Sequence, residues 1–171
     1  FMLVATQNPI EMAGTYGLGE GALDRFTAVV TPGRAAPDLE VDVLTGRKGR
    51  AMLGAIEPVA SPEQIIAAQA AVRAVQVSDA LGRYVVQLLE RTRSHPGVRL
   101  GASTRAGVSL IALARARAAM DGRTYVVPDD VAALAVASLG HRVLVAESDG
   151  STTAGRAIVA ECVASTPAPS A

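Results

Sequence analysis

Three residues pair a suitable side chain with a suitable place for chemistry on an anion: Asn8, Arg25 and Arg105. Asn8 lies just past the apolar run Phe1-Met-Leu-Val-Ala5, within Thr6-Gln7-Asn8-Pro9. Ligands of open α/β sheets bind beyond the carboxyl ends of the strands, where a neutral amide orients a water or touches a phosphate without adding charge. Asn-Pro is equally an ordinary turn initiator. Arg25 follows Asp24 and directly precedes a second apolar run, Phe26-Thr-Ala-Val-Val30. Its planar, permanently charged fork suits the equatorial oxygens of a transferring phosphoryl group. The bland alternative is a solvated Asp24–Arg25 surface pair, which is worth little. Arg105 falls in the first turn of a long helix that Ser103 caps. Helix N-termini favour anions, so a cation there opposes the macrodipole and needs a reason. A bound anion is one such reason; an ion pair with a carboxylate elsewhere is another.

The remaining reactive residues narrow the chemistry. His95, in Ser-His-Pro, and His141, before Arg142, lack metal-ligand spacing and read as structural. Cys162, the single cysteine, excludes an internal disulfide and reads as a buried small hydrophobe, so no metal site is expected. No G-x-x-x-x-G-K-[ST] loop occurs, and no apolar strand ends in paired carboxylates for magnesium. Whatever the chain does with a nucleotide, it is expected not to do alone.

The elements that must position these residues follow from composition and periodicity. Half the residues are apolar and mean hydropathy is +0.30, enough for a real core. Ala, Val and Leu supply that mass, with no Trp, which favours closely packed helices over a sandwich. Sixteen basic against sixteen acidic residues give zero net charge, so no field recruits nucleic acid or an anionic membrane. Lys48 is the one lysine, an arginine bias that fits a GC-rich bacterial genome. No targeting segment or membrane span is read, and a soluble, cytoplasmic protein is expected. The chain starts mid-strand without an initiator methionine, which points to a fragment.

Phe1–Ala5 and Phe26–Val30 read as buried parallel strands, with loop composition between them. Helical spacing begins at Asp38 and runs to about Arg47. Ser61-Pro62-Glu63-Gln64 is a capping box with proline at the first helical position, followed by Ile65, Ala68, Val72 and Val75 on one face. Ser78 starts a helix whose inner face is Leu81, Val85, Leu88 and Thr92, ending before His95-Pro96. Ser103 caps a helix to about Met120, with Val108, Leu110, Ile111, Leu113 and Ala114 inside and Gly122 as its stop. Pro128-Asp129-Asp130 opens a helix through Leu139, with a loose start because Val127 is a poor cap. Arg142–Ala146 fits a strand or a helix tail, and Ala157–Ala164 a last short helix. There is no internal repeat.

In order and spacing these pieces resemble the MoxR family of AAA+ ATPases. Ala5-Thr-Gln-Asn8-Pro-Ile-Glu11, Gly14-Thr-Tyr16, Glu20 and Leu23-Asp24-Arg25-Phe26 look like its sensor-1 strand and arginine-finger segment. Leu100-Gly-Ala-Ser103-Thr-Arg105-Ala looks like the sensor-2 motif. Arg115-Ala-Arg117, Gly122-Arg-Thr-Tyr125-Val, Pro128-Asp129-Asp130-Val131 and His141-Arg142 continue the likeness. The resemblance implies a mainly α chain: the C-terminal remnant of an AAA+ α/β core with two parallel strands over 1–33, a linker with a short helix over 34–60, an α-helical lid over 61–165, and a disordered tail over 166–171. It implies Asn8 as sensor 1, Arg25 as the finger reaching a neighbour's ATP, and Arg105 as a phosphate contact of sensor 2, in its own subunit or a neighbour's.

For the intact protein it implies ATP and Mg2+, a homo-oligomeric, hexameric ring, a protein client, and a von Willebrand factor A domain partner. It also implies chaperone-like remodelling or complex maturation. Gly17 and Gly19 stand where prolines flank the family's leucine, and Thr104 where proline is usual. Alone, without the phosphate-binding loop, the chain is expected to be inactive. Two other readings stay open: a magnesium-chelatase-type AAA+ subunit, and a non-enzymatic helical module for assembly or docking.

Overall fold

The computed structural model describes residues 2–7, 19–49, 54–145 and 152–169. Its elements run α1 (Glu20–Leu23), α2 (Pro37–Leu44), α3 (Pro62–Ala74), α4 (Asp79–Ser94), β1 (Val98–Leu100), α5 (Thr104–Met120), α6 (Pro128–Leu139), β2 (Leu144–Val145) and α7 (Thr153–Ser165). The mainly α class follows directly from this order.

Serine caps set three of the helix starts. Ser61 Oγ accepts from Gln64 N at 3.3 Å while Gln64 Oε1 accepts from Ser61 N at 2.7 Å, so α3 opens on a full capping box. Ser78 Oγ accepts from Leu81 N, and Ser103 Oγ from Ala106 N, both at 3.2 Å. Gly122, with φ 72°, lets the chain turn out of α5 in the left-handed conformation.

The core forms where α4, α5, α6 and α7 meet. Leu81, Val85, Leu88 and Thr92 of α4 are all buried, the face that their spacing predicts. On α5 the inner face is Ala106, Gly107, Leu110, Ala114 and Ala118, whereas Val108 is 66% exposed. Small residues recurring every three or four positions outcompete the bulkier valine because they let α4 come close: a Cβ on Gly107 would lie 2.9 Å from Leu89 Cδ1. Ile65 and Ile66 of α3 likewise remain exposed.

Three further expectations change. The runs at 1–5 and 26–30 form no strand among the described residues, because a strand exists only as a paired ladder and neither run pairs. The two-stranded sheet instead joins β1 to β2 antiparallel, Val98 opposite Val145 and Leu100 opposite Leu144, with an irregularity between. The start of α6 is also not loose. Val127 supplies no side-chain cap, but Asp130 Oδ2 reaches back to accept from Val127 N at 2.9 Å. The last helix is longer than read, starting at Thr153.

Glycine sets the α6–α7 junction. A Cβ on Gly155 would lie 2.5 Å from the carbonyl oxygens of both Gly140 and Val143, backbone atoms that cannot swing aside. Gly155→Ala is therefore expected to lower unfolding free energy by about 2 kcal/mol or more through overpacking. Urea denaturation checks this; an unchanged midpoint would contradict the packing.

Candidate functional site

Asp24 and Arg25, adjacent in sequence, do opposite things. They sit in the turn that follows α1, where Arg25 N donates to Ala22 O at 3.1 Å and Phe26 N to Leu23 O at 3.0 Å. Asp24 faces inward: its Oδ1 lies 3.5 Å from Arg142 Nε. Arg25 is exposed, and its guanidinium makes no hydrogen bond or ion pair among the described residues. The solvated Asp24–Arg25 pair is thus not formed, since Asp24 is committed elsewhere.

The stretch from Asp24 to Val29 is fastened to the helical bundle at several points. Arg142 Nη2 donates to Asp24 O at 3.0 Å, to Phe26 O at 2.8 Å and to Ser109 Oγ at 3.3 Å. His141 Nε2 lies 3.0 Å from Phe26 O, and a carbonyl only accepts, so Nε2 carries the proton. Val29 N donates to Ala137 O at 2.9 Å, and Arg156 Nη1 donates to Val29 O at 3.3 Å. Burial keeps His141 below the ordinary imidazole range and opposes the bond to Phe26; the Arg142 charge also holds it down. The ring is therefore a neutral donor near neutral pH.

Arg142 itself is 2% exposed in its side chain. Burial pushes its guanidinium down, Asp24 opposes this, and the positive charge of Arg105 reinforces it.

The start of α5 is equally fixed. Thr92 Oγ1 accepts from Ala102 N at 3.0 Å and donates to Leu89 O at 2.7 Å, while Arg93 Nε donates to Ala102 O at 2.9 Å. Gly101 permits this approach, since a Cβ there would lie 2.6 Å from Arg93 Cα. Ser103 then caps α5 with Arg105 exposed in its first turn, and no carboxylate answers it among the described residues.

Asp24, Gly101, Ser103, His141 and Arg142 line a cavity of about 320 Å³. The structure thus brings the Arg25 turn and the Arg105 helix start to one cavity, with neither arginine on its wall. Asn8 lies outside the described residues. No group of three or more His, Cys, Asp or Glu able to hold a metal occurs among the described residues, and no described helix is long and apolar enough to cross a membrane.

Sequence reasoning did not give His141 and Arg142 this role. Their signal was there: a polar pair wedged between the apolar end of α6 and Val143-Leu-Val145 cannot easily reach water, so it must find partners inside.

A helical lid with a short preceding segment locked onto it is the arrangement of the lid side of an AAA-type ATPase, and comparison with known families agrees. The AAA lid domain matches residues 90–162, and the ATPase family associated with various cellular activities matches residues 1–28. The chain is a MoxR-like AAA+ sequence. It is 39% identical over 144 residues to the uncharacterized protein YeaC of Bacillus subtilis, covering 84% of this chain and 45% of that protein. It is 33% identical over 159 residues to the chaperone MoxR1 of Mycobacterium tuberculosis, covering 84% of this chain and 40% of that protein. The chain therefore spans less than half the length of these curated relatives. A crystal structure of a candidate ATPase from Cytophaga hutchinsonii superposes with a TM-score of 0.80 at 26% identity, over 96% of this chain and 53% of that one.

Proposed function

We propose that residues 1–33 carry the end of an AAA+ core and residues 61–165 its lid, joined by the linker 34–60 and followed by a tail over 166–171, in a protein that hydrolyses ATP within a homo-oligomeric ring. Asn8 acts as sensor 1 and positions the attacking water. Arg25 is the finger that projects into the neighbouring subunit's site, and Arg105 contacts phosphate as sensor 2. The observation that carries this reading is the split at Asp24–Arg25: the carboxylate is bound inward by Arg142 while the guanidinium is left exposed and unpaired among the described residues.

The residues present fit a phosphate-bearing ligand. A capped seventeen-residue helix presents its positive end beside an exposed arginine. Among the described residues no cluster could cage magnesium, which when bound would neutralise charge developing on the phosphates. The chain's own part is electrostatic: Arg25 supplies permanent positive charge to a neighbour's transferring phosphoryl group, and Arg105 does so nearer the lid.

The resulting motor remodels or matures protein complexes in the cytoplasm, as a hexamer with a client protein and a von Willebrand factor A domain partner. The chaperone MoxR1 among the relatives supports the chaperone-like part.

Calorimetric titration of the intact protein with ATP tests the class. A dissociation constant on the order of 1 µM to 1 mM is expected, the range in which enzymes hold their substrates. No binding at all would sink the ATPase reading and leave a helical docking module.

A further inference from the structure

The bonds around Arg25 assign a role to a residue far away in sequence. We propose that Arg142 is a positioning residue that holds Arg25 in the geometry its chemistry requires, with His141 as its second point of attachment. This rests on the finger reading of Arg25.

Arg142 Nη2 grips the carbonyl of the residue before Arg25 and the carbonyl of the residue after it, at 3.0 and 2.8 Å. Two bonds that straddle one residue fix the direction in which its Cα–Cβ bond points. His141 Nε2 adds a third at Phe26 O, 3.0 Å away, and the Asp24 carboxylate holds Arg142 Nε from the other side at 3.5 Å. Both clamp residues are buried in the turn that follows α6, so their own positions are set by the helical bundle. A long exposed arginine on a short turn is otherwise mobile, and misplacement by about 1 Å can lower a rate on the order of 100-fold. The clamp also makes finger and lid move together, so any lid rotation carries Arg25 with it.

The test uses the intact protein assembled as it normally is. Arg142→Lys retains charge, but its ammonium ends a bond short of Nη2, the single atom that donates to both carbonyls. Its kcat for ATP is expected to fall about 10- to 100-fold with KM within about twofold, because binding to its own site is untouched. Placed on an Arg25→Ala background, the same substitution should lower residual turnover no further, whereas a merely structural role lowers both backgrounds alike. Asp24→Asn, at a partly exposed side chain, removes the charge 3.5 Å from Arg142 Nε without threatening the fold and should show the same pattern more weakly. If Arg142→Lys fails to fold, Asp24→Asn decides.

Normal turnover in these variants while Arg25→Ala is inactive, or losses additive with Arg25→Ala, would overturn the clamp and spare the finger. Normal turnover in Arg25→Ala itself would remove the finger reading instead.

Discussion

Arg25→Ala in the intact protein is expected to reduce ATP turnover by about 10³- to 10⁵-fold, the range found when an arginine finger is lost. ATP affinity should stay within about threefold. The argument starts from the turn after α1, where Arg25 is exposed while Asp24 beside it pairs inward with Arg142. A solvent-exposed guanidinium with no partner among the described residues contributes almost nothing to the fold, so its removal should leave the urea midpoint nearly unchanged. What is lost is positive charge at a place where charge develops only in the transition state, which lowers kcat rather than raising KM. Arg25→Lys should recover little, because an ammonium lacks the planar fork. Steady-state ATPase assays together with nucleotide titration check both halves. Turnover near wild type in Arg25→Ala would remove the finger assignment, and loss of ATP binding would relocate the residue to its own subunit's site.

The local grammar of this fold was legible in the sequence wherever a side chain acts on its own backbone. Ser61, Ser78 and Ser103 were read as caps and all three accept the expected amide. The inner face of α4 followed from spacing alone, since large apolar residues at three- and four-residue intervals leave one choice. Failures came where the decision belongs to a distant partner. Val108 was placed inside and lies outside, because Gly107 and the alanines of α5 allow a closeness to α4 that no hydropathy pattern records. The runs at 1–5 and 26–30 have strand composition, but pairing is not a property of one segment. The site divides the same way. Arg25 and Arg105 were visible as charges in odd places, and the structure shows both exposed at one junction. That Arg142 holds the carbonyls on either side of Arg25 involves a sequence separation of more than a hundred residues, and only the folded chain reveals it.

Asp130 carries the largest expected effect on stability. It is 1% exposed, yet its carboxylate is fully occupied. Arg123 Nη1 and Nη2 bind it in a fork at 2.7 Å each, Arg117 Nε approaches Oδ1 at 3.3 Å, and Val127 N donates at 2.9 Å. One side chain therefore ties the end of α5, the α5–α6 connection and the first turn of α6 together. Asp130→Ala should lower the unfolding free energy by about 3 kcal/mol, the lower part of the range for breaking a buried pair, because Arg123 keeps Asp121 and some contact with water. The Arg123 hydrogen bonds hold the Asp130 carboxyl below the usual range; burial opposes them, and the Val127 amide and the charges of Arg123 and Arg117 reinforce them. A depressed folded pKa means the stabilisation is complete above the unfolded value of about 3.9 and disappears as pH falls below it. The gap between wild type and Asp130→Ala in urea should thus be widest near neutral pH and close below about pH 4. A difference under about 1 kcal/mol at pH 7 would instead give Asp130 the standing of an ordinary surface pair. Asp130→Ala should also bring back the loose α6 start expected from Val127, measurable as faster amide exchange at the beginning of that helix.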